Sequence, residues 1–163
     1  MLKPALMYKN NIERKFAELL YSEEYFYYMG AALYNTIPEV AADNSDYGKI
    51  EYAIVDSKDN LLGYLKYFIY TETDTVSNFG LISFSKGNQV LGIDLFNELE
   101  KLVHRHRRIE WRMVGGNPVE RHYDNFCSKY GGNKVVLHDA IKDIDGIYHD
   151  DVIYEILRVE EEE

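Results

Sequence analysis

The chain has 163 residues, a net charge of −10, and a composition that is 46% hydrophobic and 28% charged. These values predict one domain over residues 1–163 that ends in a disordered acidic tail at residues 160–163. The negative charge argues against nucleic acid and membrane partners, while the single cysteine, Cys127, excludes an internal disulfide and indicates a cytoplasmic protein.

The N-terminal part of the chain is predicted to be helical. Asn10 and Glu13 have the spacing of a capping box, followed by an apolar stripe. Ser22 is a suitable cap for a second helix, which carries an aromatic run at residues 25–28. Residues 35–48, with a proline and several small and acidic residues, are predicted to form a loop.

The middle of the chain predicts a hairpin, a third strand and a helix. Residues 50–55 and 61–70 are rich in β-branched and aromatic types and flank a polar turn. Residues 76–84 form the third strand. Residues 88–106 repeat leucine on one helical face, which predicts an amphipathic helix.

The C-terminal part continues this alternation of strands and helices. Residues 109–114 predict a short strand, and Asn117 and Pro118 suit the first turn of another helix. That helix is expected to stop at the two glycines 131–132. Residues 134–137 and 151–159 complete a mixed sheet with helices on both faces.

The most informative stretch is the strand, glycine-containing loop and helix over residues 76–103. The helix has no acidic residue in its first turn, so its unpaired N–H groups and its dipole favour an anion, most often a phosphate. The loop lacks the glycine-lysine-serine/threonine ending of the nucleotide hydrolases. A phosphate-bearing ligand of another class is therefore expected.

Three segments of the chain carry a resemblance to a known family. They are VDSKDNLLGYLKY at 55–67, ISFSKGNQVLGIDLF at 82–96 and IEWRMVGGNPVERHYDNFCSKYGG at 109–132. With the element order, they make nearly the whole chain resemble the GCN5-related N-acetyltransferases (GNAT). The resemblance implies an α/β domain of the α+β type. Its mixed, mostly antiparallel sheet of about six to seven strands is flanked by helices on both faces and splayed at a central parallel pair.

The resemblance also implies a site for acetyl-CoA as co-substrate, without a metal. The strand at Ile82, Ser83 and Phe84 would present backbone groups to the pantetheine arm, and the loop from Lys86 to Gly92 would bind the pyrophosphate. The implied cofactor residues are Ile82, Ser83, Phe84, Lys86, Gly87, Asn88, Gln89, Val90, Leu91, Gly92 and Asn117.

This loop departs from the family pattern at two positions. Gly87 replaces the usual Arg or Gln, and Val90 replaces the first of two paired glycines. Val90 keeps its N–H, but its side chain restricts the approach of a phosphate. Lys86 can supply the missing positive charge.

Candidate catalytic residues follow from the same resemblance. The family tyrosine that reprotonates the thiolate has Cys127 at its position, so Tyr123, one turn earlier on the same face, is the predicted acid. An ordinary tyrosine pKa of about 10 suits that role, and Cys127 is expected to be buried and inert. Glu110 is the candidate base; alternatively it pairs with Arg112 or faces solvent.

The predicted reaction is direct attack of a primary amine on acetyl-CoA. The acceptor would be a small-molecule amine or a peptide, and Tyr25 and Tyr28 would line its pocket or else belong to the core. The resemblance is compatible with a homodimer. The alternative function is a catalytically weak or inactive GNAT-fold protein that binds CoA, another ligand or a protein partner.

The other charged clusters have structural interpretations. The basic run 104–108 lies at a helix C-terminus, where cations are favourable. Residues 143–146 lack the ligand spacing of a calcium loop and are expected to form a turn. His138 and His149 match no known metal-site spacing and are expected to be structural.

Overall fold

The computed structural model describes residues 1–20, 39–41, 48–85, 87–143 and 145–158. The helix expected from Ser22 and the candidate pocket residues Tyr25 and Tyr28 lie outside the described residues, and so does Lys86. In chain order the elements are β1 (Leu2–Pro4), a 3-10 turn (Ala5–Tyr8), α1 (Lys9–Leu20), β2 (Lys49–Val55), β3 (Leu61–Tyr70), β4 (Thr75–Ser83), α2 (Gln89–Arg105), β5 (Arg108–Val114), α3 (Glu120–Lys129), β6 (Asn133–Lys142) and β7 (Tyr148–Leu157).

The seven strands form one sheet in the order β1-β2-β3-β4-β5-β7-β6. Every neighbouring pair is antiparallel except β4 and β5, which are parallel. The prediction of a mixed, mostly antiparallel sheet with a central parallel pair is thus confirmed.

Helices pack on both faces of the sheet, as predicted. The larger apolar cluster joins α2 and α3 to one face and contains Leu95, Leu99, Trp111 and Tyr154. The smaller cluster joins α1 to the opposite face of β2 and β3 and includes Phe16. We call the first the α2 face and the second the α1 face. No helix in the described part of the chain is long and apolar enough to cross a membrane.

Several predicted boundaries needed correction. Asn10 does not cap α1, because the 3-10 turn leads directly into a helix that starts at Lys9. Glu13 instead pairs with the Lys9 ammonium at 2.7 Å and accepts from the Val40 N–H at 3.2 Å. The last two strands, β6 and β7, are longer than predicted, so the polar loop between them is shorter.

The start of α3 also differs from the prediction. The regular helix begins at Glu120, and Asn117 caps the preceding turn, where its side-chain oxygen accepts from the Val119 N–H at 3.1 Å. The predicted stop is confirmed. Gly131 has a φ of +64°, and the Gly132 N–H donates to the Cys127 carbonyl at 2.9 Å.

Candidate functional site

The parallel strands β4 and β5 separate almost as soon as they meet. Their pairing consists of Thr75 with Arg108 and Val76 with Ile109. Directly beyond it, Asn78 adopts a φ of +52°, and the β3–β4 register shifts at this point. Such a bulge bends its strand. The remaining lengths of β4 and β5 therefore border an open cleft.

The backbone register determines which β4 amides face the cleft. The Phe84 N–H donates to the Leu62 carbonyl at 2.8 Å, and Ile82 stands opposite Tyr64 two residues earlier. In an antiparallel pair these positions alternate, so the amide groups of Ile82 and Phe84 point toward β3. Those of Leu81 and Ser83 point to the other edge, into the cleft.

The same alternation defines the β5 side of the cleft. The Gly115 N–H donates to the Asp150 carbonyl and the Arg158 N–H donates to the Arg107 carbonyl, both at 2.8 Å across β5 and β7. In the β5–β7 register, these two hydrogen bonds mean that the amides of Glu110 and Arg112, at the alternate positions, point away from β7. Two strand edges thus face one another, and their outward amides have no backbone partner among the described residues. This arrangement suits an extended ligand that contains amide groups.

The start of α2 lies beside this cleft. Asn88 caps the helix, and its first turn contains no acidic residue. A Cβ built on Gly63, the β3 partner of Ser83, would lie 2.7 Å from the Leu91 side chain and 2.8 Å from the Ile82 carbonyl. The absence of a side chain at Gly63 therefore lets the first turn of α2 lie close to the cleft.

Several amides of the predicted pyrophosphate loop already have internal acceptors. The Val90 N–H donates to the Asn88 side-chain oxygen at 3.0 Å. The Leu91 N–H donates to the Asn88 carbonyl at 3.2 Å, and the Asn88 N–H donates to the Ser85 carbonyl at 3.4 Å. Within the described part of the loop, Gly87 and Gln89 retain N–H groups without an internal acceptor.

The candidate base Glu110 is part of an ion-pair chain. It lies on the α1 face of β5, where its carboxylate is 3.0 Å from the Arg108 guanidinium. Arg108 also pairs with Glu155 at 2.7 Å, and Arg112 pairs with Asp151. The expected partner Arg112 is therefore replaced by Arg108. The Glu110 side chain remains 37% exposed, so it is accessible to solvent or to a ligand.

The candidate acid Tyr123 is buried on the α2 face. Its ring lies 5.7 Å from Phe96, 5.5 Å from Trp111 and 5.8 Å from Tyr154. Burial raises the pKa of Tyr123 above its ordinary value, which makes the hydroxyl a weaker proton donor. The assumption of an ordinary tyrosine pKa is therefore wrong.

Cys127 is buried, as predicted. Its sulfur contacts the Asn133 carbonyl at 3.5 Å and the Glu155 carbonyl at 3.9 Å. Burial raises the pKa of the Cys127 thiol. A thiol with a raised pKa carries little thiolate and is a poor nucleophile.

Asp74 holds the closed end of the cleft, where β4 and β5 pair. Its carboxylate contacts His106 Nδ1 at 2.8 Å and accepts from the Arg107 N–H at 2.8 Å. The Asp74 carbonyl accepts from the Arg108 N–H at 3.2 Å. The His106 contact, followed by the Arg107 N–H, lowers the pKa of the Asp74 carboxyl.

We expect Asp74→Asn to destabilise the protein at neutral pH by a few tenths to about 1 kcal/mol, because the pair is partly exposed. A carboxyl group whose pKa is lower in the folded than in the unfolded state stabilises the folded protein at pH values above the unfolded-state pKa of about 3.9. This stabilisation is lost as the pH falls through the lower folded-state pKa. The difference from wild type should therefore shrink in urea unfolding at about pH 3. Asparagine tolerates the positive φ of 48°. A difference that persists in acid would contradict the assignment.

The remaining histidines and acids make local structure. The Asp143 side chain accepts from the backbone N–H groups of Asp145 at 3.0 Å and Ile147 at 2.8 Å, which confirms the predicted turn. His138 contacts Asp150 at 3.2 Å. Among the described residues, no cluster of three or more His, Cys, Asp or Glu could hold a metal ion.

Comparison with known proteins supports the fold through structure alone. No family model and no curated protein matches the chain. A GCN5-related N-acetyltransferase from Kribbella flavida superposes with a TM-score of 0.67 at 15% identity, covering 97% of both chains. The Vibrio cholerae spermidine N-acetyltransferase in complex with CoA and spermine gives 0.66 at 16% identity, covering 96% of this chain and 94% of that one.

A third structure agrees with these two. A probable GNAT-family acetyltransferase from Chromobacterium violaceum gives a TM-score of 0.64 at 17% identity, covering 96% of this chain and 85% of the other. The seven-stranded order, the splayed parallel pair and these superpositions lead to one conclusion: the chain has the GCN5-related N-acetyltransferase fold.

Proposed function

We propose that this protein is an N-acetyltransferase that moves an acetyl group from acetyl-CoA to a primary amine. The observation that carries the proposal is the cleft between β4 and β5, bordered by unpaired strand amides and by the start of α2. The pantetheine arm contains two amides and can pair with the Leu81 and Ser83 backbone groups. The diphosphate can then reach the α2 start.

In the proposed reaction the acceptor amine attacks the thioester carbon directly. The new C–N bond forms as the C–S bond breaks, and the sulfur leaves as the thiolate of CoA. Backbone N–H groups at the cleft edge stabilise the negative charge on the carbonyl oxygen. Glu110 takes a proton from the amine, and Tyr123 is the proposed acid that protonates the thiolate.

Isothermal titration with acetyl-CoA, followed by a thiol-release assay with a panel of primary amines, tests the proposal. We expect saturable binding and amine-dependent release of CoA. Absence of binding at millimolar acetyl-CoA would overturn it.

The second candidate function is a GNAT-fold protein that binds CoA or another ligand without turnover. The observation that favours it is the Asn88 cap, which already occupies the Val90 N–H. CoA binding without thiol release for any amine in the panel would support this alternative.

The Asn88→Ala substitution tests whether the Asn88 cap limits the binding of acetyl-CoA. We expect acetyl-CoA to bind about 3- to 10-fold more tightly, because the freed Val90 N–H becomes available to the diphosphate. The variant should also lose about 0.5–2 kcal/mol of stability, as caps do. Titration calorimetry and urea unfolding measure the two effects, with Gln89→Ala as the control that keeps the cap. Weaker binding in Asn88→Ala would instead show that the Asn88 side chain contacts the ligand.

We also propose that the protein forms a homo-oligomer. A structure of the V. cholerae spermidine N-acetyltransferase is described as dodecameric, and it superposes on this chain with a TM-score of 0.56 at 19% identity. Light scattering at several protein concentrations tests the proposal. A monomer at all concentrations would contradict it.

A further inference from the structure

Lys66 is a half-buried lysine that forms no ion pair within the described part of the chain. It lies on β3 between Glu51 of β2 and Gly80 of β4. Tyr64, two residues earlier on the same face, packs on α1, so Lys66 belongs to the α1 face. No hydrogen bond or ion pair joins the Lys66 ammonium to any described residue.

The acidic residue opposite Lys66 on β2, Glu51, already has several partners. The Glu51 carboxylate accepts from the Ala41 N–H at 3.1 Å, pairs with Lys49 at 3.2 Å and accepts from the Tyr64 hydroxyl. Burial, and then the charge of Lys49, lower the pKa of Lys66, and Glu51 offsets this only in part. A half-buried ammonium whose opposing carboxylate is already paired with other groups is incompletely compensated, so the site favours a bound anion.

The β4 residue opposite Lys66 is a glycine, Gly80. A side chain at position 80 would therefore lie on the same face. Among the described residues, and apart from its chain neighbours, a Cβ built on Gly80 meets a single atom within 4 Å, the Asn78 carbonyl oxygen at 3.9 Å. Gly80 immediately precedes Leu81, whose amide faces the cleft. We call the space left by the missing side chain the hollow over Gly80; it lies between the β3 position of Lys66 and the cleft edge at Leu81.

We propose that Lys66 binds an anionic group of the acceptor, which would make the acceptor an amine that also carries a carboxylate or a phosphate. This inference rests on the proposed acetyltransferase function. The acceptor anion occupies the hollow over Gly80, and its amine extends toward the cleft, where Glu110 lies on the same face of β5. Because β3 and β5 are two strand spacings apart, the backbones of Lys66 and Glu110 lie about 10 Å apart or more, and the acceptor binds between the two side chains.

Polyamines fit this arrangement poorly. A chain of ammonium groups would place a positive charge against Lys66, with Lys49 adding to the repulsion. Amino acids, peptides with a free carboxylate and phosphorylated amines would each neutralise Lys66. These acceptors share an anionic oxygen group, and matched pairs of compounds distinguish carboxylate from phosphate.

The first experiment compares acceptors that differ in one charge. A glycyl dipeptide is compared with its C-terminal amide, phosphoethanolamine with ethanolamine, and spermidine serves as the cationic acceptor. In the wild type we expect kcat/KM for the better anionic acceptor to exceed that of its neutral partner by roughly 10- to 100-fold. Equal rates, or a preference for spermidine, would overturn the proposal.

Substitutions assign the preference to one side chain. Lys66→Met should remove the preference for anionic over neutral acceptors, mainly by raising KM for the anionic acceptor. Lys66→Arg should retain part of this preference. Lys58→Met, in the exposed turn between β2 and β3, is the matched control and should leave the preference unchanged. Lys66→Met should also leave stability unchanged or increased, because it removes an unpaired buried charge. Full discrimination in Lys66→Met, or its loss in Lys58→Met, would overturn the proposal.

A binding measurement separates this inference from the proposed reaction. Lysines methylated with ¹³C keep their charge and report their surroundings by NMR, and the Lys66 signal is assigned by its absence in Lys66→Arg. Titration with acetate and with inorganic phosphate, without CoA, should shift Lys66 saturably and at lower concentration than Lys58. A Lys66 shift without any acetyl transfer would refute the reaction while the anion site stands. A Lys66 response no stronger than that of Lys58 would overturn the site itself.

Discussion

Replacing Ser83 with proline is expected to reduce kcat/KM for acetyl-CoA by about 10²- to 10³-fold. This is the usual effect of removing one N–H donor that stabilises the reacting carbonyl or holds the pantetheine arm in position. The Ser83 N–H faces the cleft and takes no part in the β3–β4 ladder. Proline lacks that N–H and is tolerated on a strand edge that points away from its neighbour. The sheet should therefore survive the change.

Two matched variants isolate the lost N–H group. Ser83→Ala removes the hydroxyl, which contacts Ser85 at 3.0 Å, but keeps the amide, so it should retain most of the activity. Phe84→Pro removes the N–H that donates to Leu62 and should destabilise the protein by about 1–3 kcal/mol. Activity assays, acetyl-CoA titration and urea unfolding of all three variants provide the test. Equal activity of Ser83→Pro and Ser83→Ala would show that this amide contacts nothing in the reaction.

Local sequence signals predicted most of the fold. The alternating apolar residues of β2 and β3 and the leucine repeat of α2 each identify one buried face, and their predicted bounds agree with the structure to within one or two residues. The three-residue strand β1 and the 3-10 turn after it were missed. They are too short to show a period, and pairing with β2 is what orders β1.

The site was less predictable, because it depends on contacts between distant segments. Pairing with β3 determines whether the backbone amide of Ser83 or that of Phe84 faces the cleft, and the residue types alone do not indicate which one does. The bulge at Asn78 also depends on pairing with β3 and is not indicated by residue type. Lys66 in an alternating strand usually predicts a solvent-facing side chain, and its half-buried position became visible only with the packing of the α1 face.

Trp111→Ala is expected to destabilise the protein by about 3–5 kcal/mol, a large part of the roughly 5–15 kcal/mol that holds a domain folded. Trp111 is 1% exposed, and its ring stacks on Tyr154 at 5.1 Å with an interplanar angle of 13°. It also contacts Tyr123 at 5.5 Å and Phe126 at 6.3 Å. Removing it leaves a cavity between β5 and α3, measured as a loss of unfolding free energy in urea.

Trp111→Phe is the informative companion, because the Trp111 Nε1 is buried without a hydrogen-bond partner among the described residues. Phenylalanine keeps a ring against Tyr154 and removes the unsatisfied donor. Trp111→Phe should therefore lose less than about half of the unfolding free energy that Trp111→Ala loses. An equal cost in both variants would mean that Nε1 has a partner, such as a buried water. Since Trp111 lies between Glu110 and Arg112, whose amides face the cleft, a Phe variant that is stable but binds acetyl-CoA more weakly would link this packing to the shape of the cleft edge.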